Sequence, residues 1–164
     1  MSSFPKNYFQ FKTIRDPLYG FVDLSEIELK LIDTQVFRRL LNIKQLSHAF
    51  LVYPTAIHTR FEHSLGVTHL ANRVALQLEF DDEQREIIRL AGLLHDIGHG
   101  PFSHLFEAVL KNVNGGKIDH DKISMMLIKE DPEISAILGD RGEKIIQLLD
   151  HRPVTGSFFI IMYF

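Results

Sequence analysis

"LLHDIGHGPFSH", Leu93 to His104, packs three of the chain's nine histidines and an aspartate into twelve residues. It continues the apolar run "IIRLAGLL", in which Ile87, Ile88, Ala91 and Leu94 repeat with helical spacing. Asp81 and Gln84 form a capping box before that run, and Gly98 and Gly100 end it. His95 and Asp96 therefore fall at the close of a buried helix. A polar pair in that position needs partners. Adjacent helical residues point about 100° apart. The two side chains can grip one ion lying between them, but they cannot saturate it. Imidazole with carboxylate suits a first-row divalent metal such as Mn, Fe, Ni, Zn or Co.

Further ligands must come from elsewhere in the chain. His63 opens its own helix in "TRFEHSLG" and is the candidate third ligand. Arg60 lies three residues before it, on nearly the same helical face, where a guanidinium suits a bidentate phosphate contact. His99 and His104, past the glycines, are candidates to protonate a leaving group or hold a phosphate. His120 opens a later helix and is a candidate for the same cleft. Gln45, in "IKQL", is a candidate hydrogen-bonding group for a sugar or base. His48, His58, His69 and His151 read as ordinary histidines.

Outward from this stretch, most of the chain reads as helix. Residues 12–24, "KTIRDPLYGFVDL", are the exception: apolar positions flank Asp16-Pro17 and Gly20, which predicts strand–turn–strand. Ser25 with Glu28 caps a short helix. Thr34 caps the next, carrying Val36, Leu40, Leu41 and Ile43. "LVYPTAIHTR" reads as a loop, followed by a helix with Leu70, Val74 and Leu78 on one face and Ala71 and Ala75 beside them. Pro101 suits a first helical position, which predicts a helix from Phe102 to Leu110 and a loop at "NVNGGK". Asp119 caps a helix through Glu130, and Asp131-Pro132 opens one more. The expected class is all-α with a small N-terminal β ornament, in a single domain over residues 1–164.

Composition narrows the function classes. Hydrophobic residues make up 45% and charged residues 24%, as in a globular chain. The chain has no cysteine, so it offers no disulfide, thiolate metal site or thiol nucleophile, which suits a reducing cytosol. A net charge of −3 gives no signal for duplex nucleic acid. No apolar run reaches the roughly 20 residues of a membrane span, and the start carries no apolar secretory core. The expected compartment is cytoplasmic. The final residues, "SFFIIMYF", are uncharged, aromatic and β-prone. A free end of that kind is an aggregation hazard, which leaves two readings: a segment packed on the core, or a chain lacking its C-terminal part.

Several of these stretches together resemble the HD-domain metal-dependent phosphohydrolases. The likeness is strongest to the deoxynucleoside triphosphate triphosphohydrolase branch, with its dGTPase-like and SAM-and-HD-domain members. The matching segments are "IRDPLYGFVDL", "IDTQVFRRLLNIKQL", "YPTAIHTRFEHSLGVTHLA" and "LAGLLHDIGHGPFSH". The resemblance implies an HD-domain helical bundle with a short N-terminal β-hairpin. His63, His95 and Asp96 would be metal ligands, for Mn, Fe, Mg, Zn, Ni or Co. His99, His104 and His120 would line the catalytic phosphate site. Arg60 would bind phosphate, and Gln45 and Leu46 would lie against the deoxyribose or base. The implied reaction hydrolyses a dNTP to deoxynucleoside and triphosphate, in a homo-oligomer. The family's fourth ligand, a downstream aspartate in a stretch like "D-x-D-x-x-D-Y", has no counterpart here, since no aspartate follows Asp150. Two alternatives stay open: a silent HD-fold nucleotide-binding or regulatory remnant, and a phosphohydrolase acting on another nucleotide phosphoester.

Overall fold

A computed structural model describes residues 11–102, 106, 108, 109, 112, 113, 115 and 119–150. The chain opens with strands β1 (Lys12–Asp16) and β2 (Gly20–Leu24), paired antiparallel from Lys12↔Leu24 to Asp16↔Gly20. Asp16 Oδ1 accepts from the Leu18 and Tyr19 amides at 2.8 Å each, which rounds the turn. Gly20 completes the turn at φ +78°, a conformation that favours glycine. Val22 and Leu24 point into the core while Phe21 faces out, the alternation of a half-buried strand.

Helix α1 (Glu26–Asp33) starts at the expected Ser25/Glu28 capping box. Thr34 caps α2 (Gln35–Arg38), which is much shorter than the sequence suggests. The chain tightens into a 3₁₀ turn over Arg39–Asn42, and Ile43 is extended. With three residues per turn, Phe37, Leu40 and Ile43 line up on the core and are all buried, while Leu41 is exposed. Ile43 then accepts from the Arg60 amide at 2.8 Å, and the Gln45 amide donates to the His58 carbonyl at 3.0 Å. These bonds fasten the segment to the start of the next long helix. A second 3₁₀ turn covers Ala49–Leu51.

Helix α3 (Arg60–Gln77) begins at a Thr59/Glu62 capping box and lies along α4 (Asp82–Leu94), which begins at the Asp81/Gln84 box. The expected Leu70/Val74/Leu78 stripe is not the buried face of α3: Leu70 is 40% and Leu78 44% exposed. Leu65, Thr68, Ala71 and Ala75 are buried instead. Small side chains win because the two helices approach closely. A Cβ on Gly92 of α4 would lie 3.2 Å from Val67 Cγ1 of α3. Every residue of α4 from Ile87 to Leu94 is buried, so this helix is the axis of the fold. Truncating Leu90, Leu93 or Leu94 to alanine would cost about 2–5 kcal/mol each.

Residues 106, 108, 109, 112 and 113 are helical. Phe102, at φ +64°, is not, so the helix expected from Phe102 begins later. It also reaches Asn112 and Val113, inside the expected "NVNGGK" loop. Helices α5 (His120–Glu130), α6 (Pro132–Leu138) and α7 (Arg141–Leu149) follow. The first two start at the predicted caps Asp119 and Asp131, with α7 packed against α4. The hairpin and α1 are bolted to α4 by one buried ion pair. Arg89 donates from Nε and Nη2 to the two Glu28 carboxylate oxygens at 2.7 Å each, and from Nη2 to the Asp23 carbonyl at 2.7 Å. The fold is therefore all-α with an N-terminal β-hairpin. No helix among the described residues is long and apolar enough to cross a membrane. The "SFFIIMYF" segment and His151 lie outside the described residues.

Candidate metal centre

Helix α4 ends at Leu94, and His95 is its C-cap. The chain then turns sharply through residues 95–98, and this turn presents His95 and Asp96 toward the first turn of α3. His63 lies on that first turn. His63, His95 and Asp96 each offer one ligand atom, all within 4.8 Å of one another. Asp96 Oδ1 is 3.3 Å from His95 Nε2, and Asp96 Oδ2 is 3.6 Å from His63 Nε2. Tetrahedral donors at about 2.1 Å from one ion lie about 3.4 Å apart. The two imidazole rings stand edge-on, with centroids 5.2 Å apart.

The surroundings set the protonation states. His95 Nδ1–H donates to the Gly92 carbonyl at 2.8 Å. A carbonyl can only accept, so Nδ1 carries a proton, and Nε2 is the ring nitrogen turned toward the cluster. Asp96 is buried, and burial alone would raise its carboxyl. His95, Arg60, His99 and His63 around it outweigh that and hold it below the ordinary carboxylate range. Burial depresses the His63 imidazole, against the pull of Asp96, which keeps it neutral and ligand-ready. Two imidazoles and one carboxylate, brought together within 4.8 Å, fit a divalent metal.

Arg60 is itself buried, and its Nη1 pairs with Asp96 Oδ2. Its guanidinium thus sits at the carboxylate. His99 is also buried, with Nε2 3.5 Å from Asp96 Oδ1. Its ring stacks on His120, centroids 3.9 Å apart and planes 16° off parallel. His120 Nε2 lies 3.2 Å from Asp121 Oδ1. That stacking depends on Gly98: a Cβ there would lie 2.2 Å from the His120 carbonyl and 2.5 Å from the Ser124 amide. His104 lies outside the described residues.

Gln45 and Leu46 lie on the segment anchored by the Gln45–His58 bond. Gln45 Oε1 is buried and has no hydrogen-bond partner among the described residues, and Leu46 is exposed. The same segment reaches the far end of the His-rich turn. His48 stacks on Phe102 at 5.0 Å, and Ser47 Oγ donates to the Phe102 carbonyl at 3.4 Å.

Two residues that the sequence did not single out grip the turn. Ser124 Oγ, four residues after His120 on α5, donates to the His95 carbonyl and accepts from the Gly98 amide, both at 2.8 Å. Arg39 donates from Nη1 to the His99 carbonyl and from Nη2 to the Ile97 carbonyl. The i,i+4 spacing of His120 and Ser124 was a usable signal, since both share one helix face. Nothing in the sequence pointed to Arg39.

The chain is 35% identical over 160 residues to the deoxynucleoside triphosphate triphosphohydrolase SAMHD1 homolog of Dictyostelium discoideum, covering 90% of this chain and 31% of that protein. It is 46% identical over 103 residues to bovine (Bos taurus) deoxynucleoside triphosphate triphosphohydrolase SAMHD1, covering 58% of this chain and 18% of that protein. A hypothetical protein from Aquifex aeolicus, known from its crystal structure, superposes with a TM-score of 0.77 at 41% identity, covering 92% of this chain and 40% of that one. The chain thus spans about a third or less of the two triphosphohydrolases it matches. The HD domain profile matches residues 60–153, which begin at Arg60 and include His63, His95 and Asp96. With more than half of its length matched in this way, the chain belongs to the HD domain family.

Proposed function

We propose that this chain is a metal-dependent phosphohydrolase that cleaves deoxynucleoside triphosphates to deoxynucleoside and triphosphate. The observation that carries the proposal is the convergence of His63, His95 and Asp96, with the stacked His99/His120 pair against the same carboxylate. The similarity to triphosphohydrolases supports the substrate class.

His63 Nε2, His95 Nε2 and a carboxylate oxygen of Asp96 would hold the ion. When bound there, a divalent metal supplies Lewis-acid polarisation of a phosphoryl oxygen and acidifies a water. The protein's own groups do the rest. Water oxygen attacks the α-phosphorus, and the bond from phosphorus to the 5′-oxygen breaks. His99 and His120 are the candidate donors of the proton that the departing 5′-oxygen takes up, with His104 a third, as the sequence suggests. Arg60 fixes the Asp96 carboxylate, and its guanidinium brings positive charge to the site. Gln45 offers to the sugar or base its amide oxygen, which has no partner among the described residues. An oligomer and a cytoplasmic location belong to the same proposal.

The test is to incubate the purified chain with Mn²⁺ and each dNTP in ¹⁸O-water and resolve the products. The expected result is deoxynucleoside plus triphosphate, with ¹⁸O in the triphosphate, lost in His95→Ala/Asp96→Ala. Deoxynucleoside mono- or diphosphate would move the function to another phosphoester. No turnover by folded, metal-loaded protein would leave a nucleotide-binding remnant.

A further inference from the structure

We infer that Arg39 and Ser124 are positioning residues that clamp the turn 95–99 from two sides and so set the geometry of the metal centre. The inference rests on reading His63, His95 and Asp96 as that centre. The turn lies beyond the C-terminus of α4, where backbone carbonyls need partners from outside the helix. Two of them, Ile97 and His99, face one guanidinium, which donates to them from its two terminal nitrogens. A planar fork suits that pair of acceptors in a way a single ammonium does not. The opposite side is held by Ser124, whose buried hydroxyl takes the Gly98 amide and gives to the His95 carbonyl.

The two grips come from distant parts of the chain. Arg39 lies 58 and 60 residues before its partners, and Ser124 lies 29 and 26 residues after its own. Between them, four of the five residues from His95 to His99 have a backbone group held by a side chain. Those five residues carry both candidate ligands of the turn and the imidazole stacked on His120. The bonds of Arg39 go to backbone carbonyls, so it acts on the backbone that aims these side chains. The Arg39 turn also runs directly into Ile43 and Gln45, which are fastened to Arg60 of α3 and to His58 just before it. The clamp therefore ties the candidate base-contacting segment to the candidate metal-binding turn.

The test uses Arg39→Ala, Arg39→Lys and Ser124→Ala in the full chain. The first readout is amide hydrogen exchange in metal-free protein, comparing Gly98 and His99 with the core amides of α3. The second is Mn²⁺ affinity by calorimetry. In Arg39→Ala, exchange at Gly98 and His99 should rise by about tenfold or more, because a charge-assisted bond pair is lost, while α3 stays protected. Mn²⁺ affinity should fall by about 10–100-fold, the usual effect of removing an outer partner of a metal site. Free guanidinium at non-denaturing concentration should restore part of both. Arg39→Lys should be intermediate, and it decides the question if Arg39→Ala does not fold. Ser124→Ala should loosen His99 as well as Gly98, although of these two amides Gly98 alone loses its partner directly. Unchanged exchange at His99 in the folded Arg39 variants would overturn the clamp. A wild-type chain that binds no Mn²⁺ would sink the metal reading alone, since the exchange data still decide the clamp.

Discussion

Gly98→Ala is the smallest change that should disable the site. Its Cβ would sit 2.2 Å from the His120 carbonyl oxygen, 2.5 Å from the Ser124 amide nitrogen and 2.8 Å from Ser124 Oγ. Two of these three atoms are backbone, so no rotamer change relieves the clash. Reaching an ordinary contact needs roughly 1 Å of separation between the turn and the first turn of α5. Overpacking of this kind costs about 1–3 kcal/mol. For a chain of this size that is a drop of about 2–12 °C in melting temperature. The functional loss should be larger than the stability loss. Moving α5 separates His120 from His99, now stacked at 3.9 Å, and pulls Ser124 from the His95 carbonyl. A misplacement of about 1 Å can cost about a hundredfold in rate. The assay pairs thermal melting with initial rates of dNTP turnover at saturating Mn²⁺, against Gly115→Ala as a control with open space at its Cβ but φ +68°. A folded Gly98→Ala protein with wild-type melting and wild-type rate would refute the reasoning.

Other outcomes follow from the same structure. Arg89→Met strands the Glu28 carboxylate, 2% exposed, without its guanidinium, so urea unfolding should show a loss of about 3–5 kcal/mol. The double variant Glu28→Leu/Arg89→Met should recover most of that, and simple additivity of the two single losses would contradict it. His69, stacked on Tyr19 at 4.8 Å, is depressed below the ordinary imidazole value by burial, then by Arg73 and Arg89, against Asp16 and Asp23. The unfolded chain therefore takes up this proton more readily than the folded one. Stability from His69 is complete above about pH 6.5 and is lost as pH falls from there toward the folded value. Urea midpoints between about pH 5 and 8 should fall less steeply in His69→Phe, which keeps a ring on Tyr19. An identical slope in the two proteins would exclude this contribution.

What the sequence made legible was chiefly what short-range chemistry encodes. The caps at Ser25, Thr34, Asp81, Asp119 and Asp131 each mark a helix start that the structure contains. Helix α7 is absent from the sequence reading although Asp140 and Glu143 have capping-box spacing; in the structure Asp140 makes no side-chain cap bond. The buried face of α3 was misjudged because leucines outweigh alanines in a periodicity count. Helix–helix distance, which favours Ala71 and Ala75 over Leu70, is a tertiary quantity. The 3₁₀ turn after α2 was hidden for a related reason: Phe37, Leu40 and Ile43 fit a helix until the chain must turn toward α3.

The same division holds at the site. His95 and Asp96 could be picked out because they follow a buried helix, and His63 because it opens a helix of its own. Arg39 could not, because its partners are carbonyls about 60 residues away and no side-chain pattern records them. Arg60 shows how burial changes a reading. Its place beside His63 suggested phosphate, whereas in the fold its guanidinium is buried and paired to Asp96. Any phosphate contact it makes is made from a site already shared with the carboxylate.

The most direct measurement is Mn²⁺ titration by calorimetry of the wild-type chain and of Asp96→Ala and His63→Ala. The metal-centre assignment predicts one ion per chain in the wild type, a higher melting temperature when it is bound, and loss of both in either variant. Absence of binding to the folded wild-type chain, or binding that survives both substitutions, would contradict it.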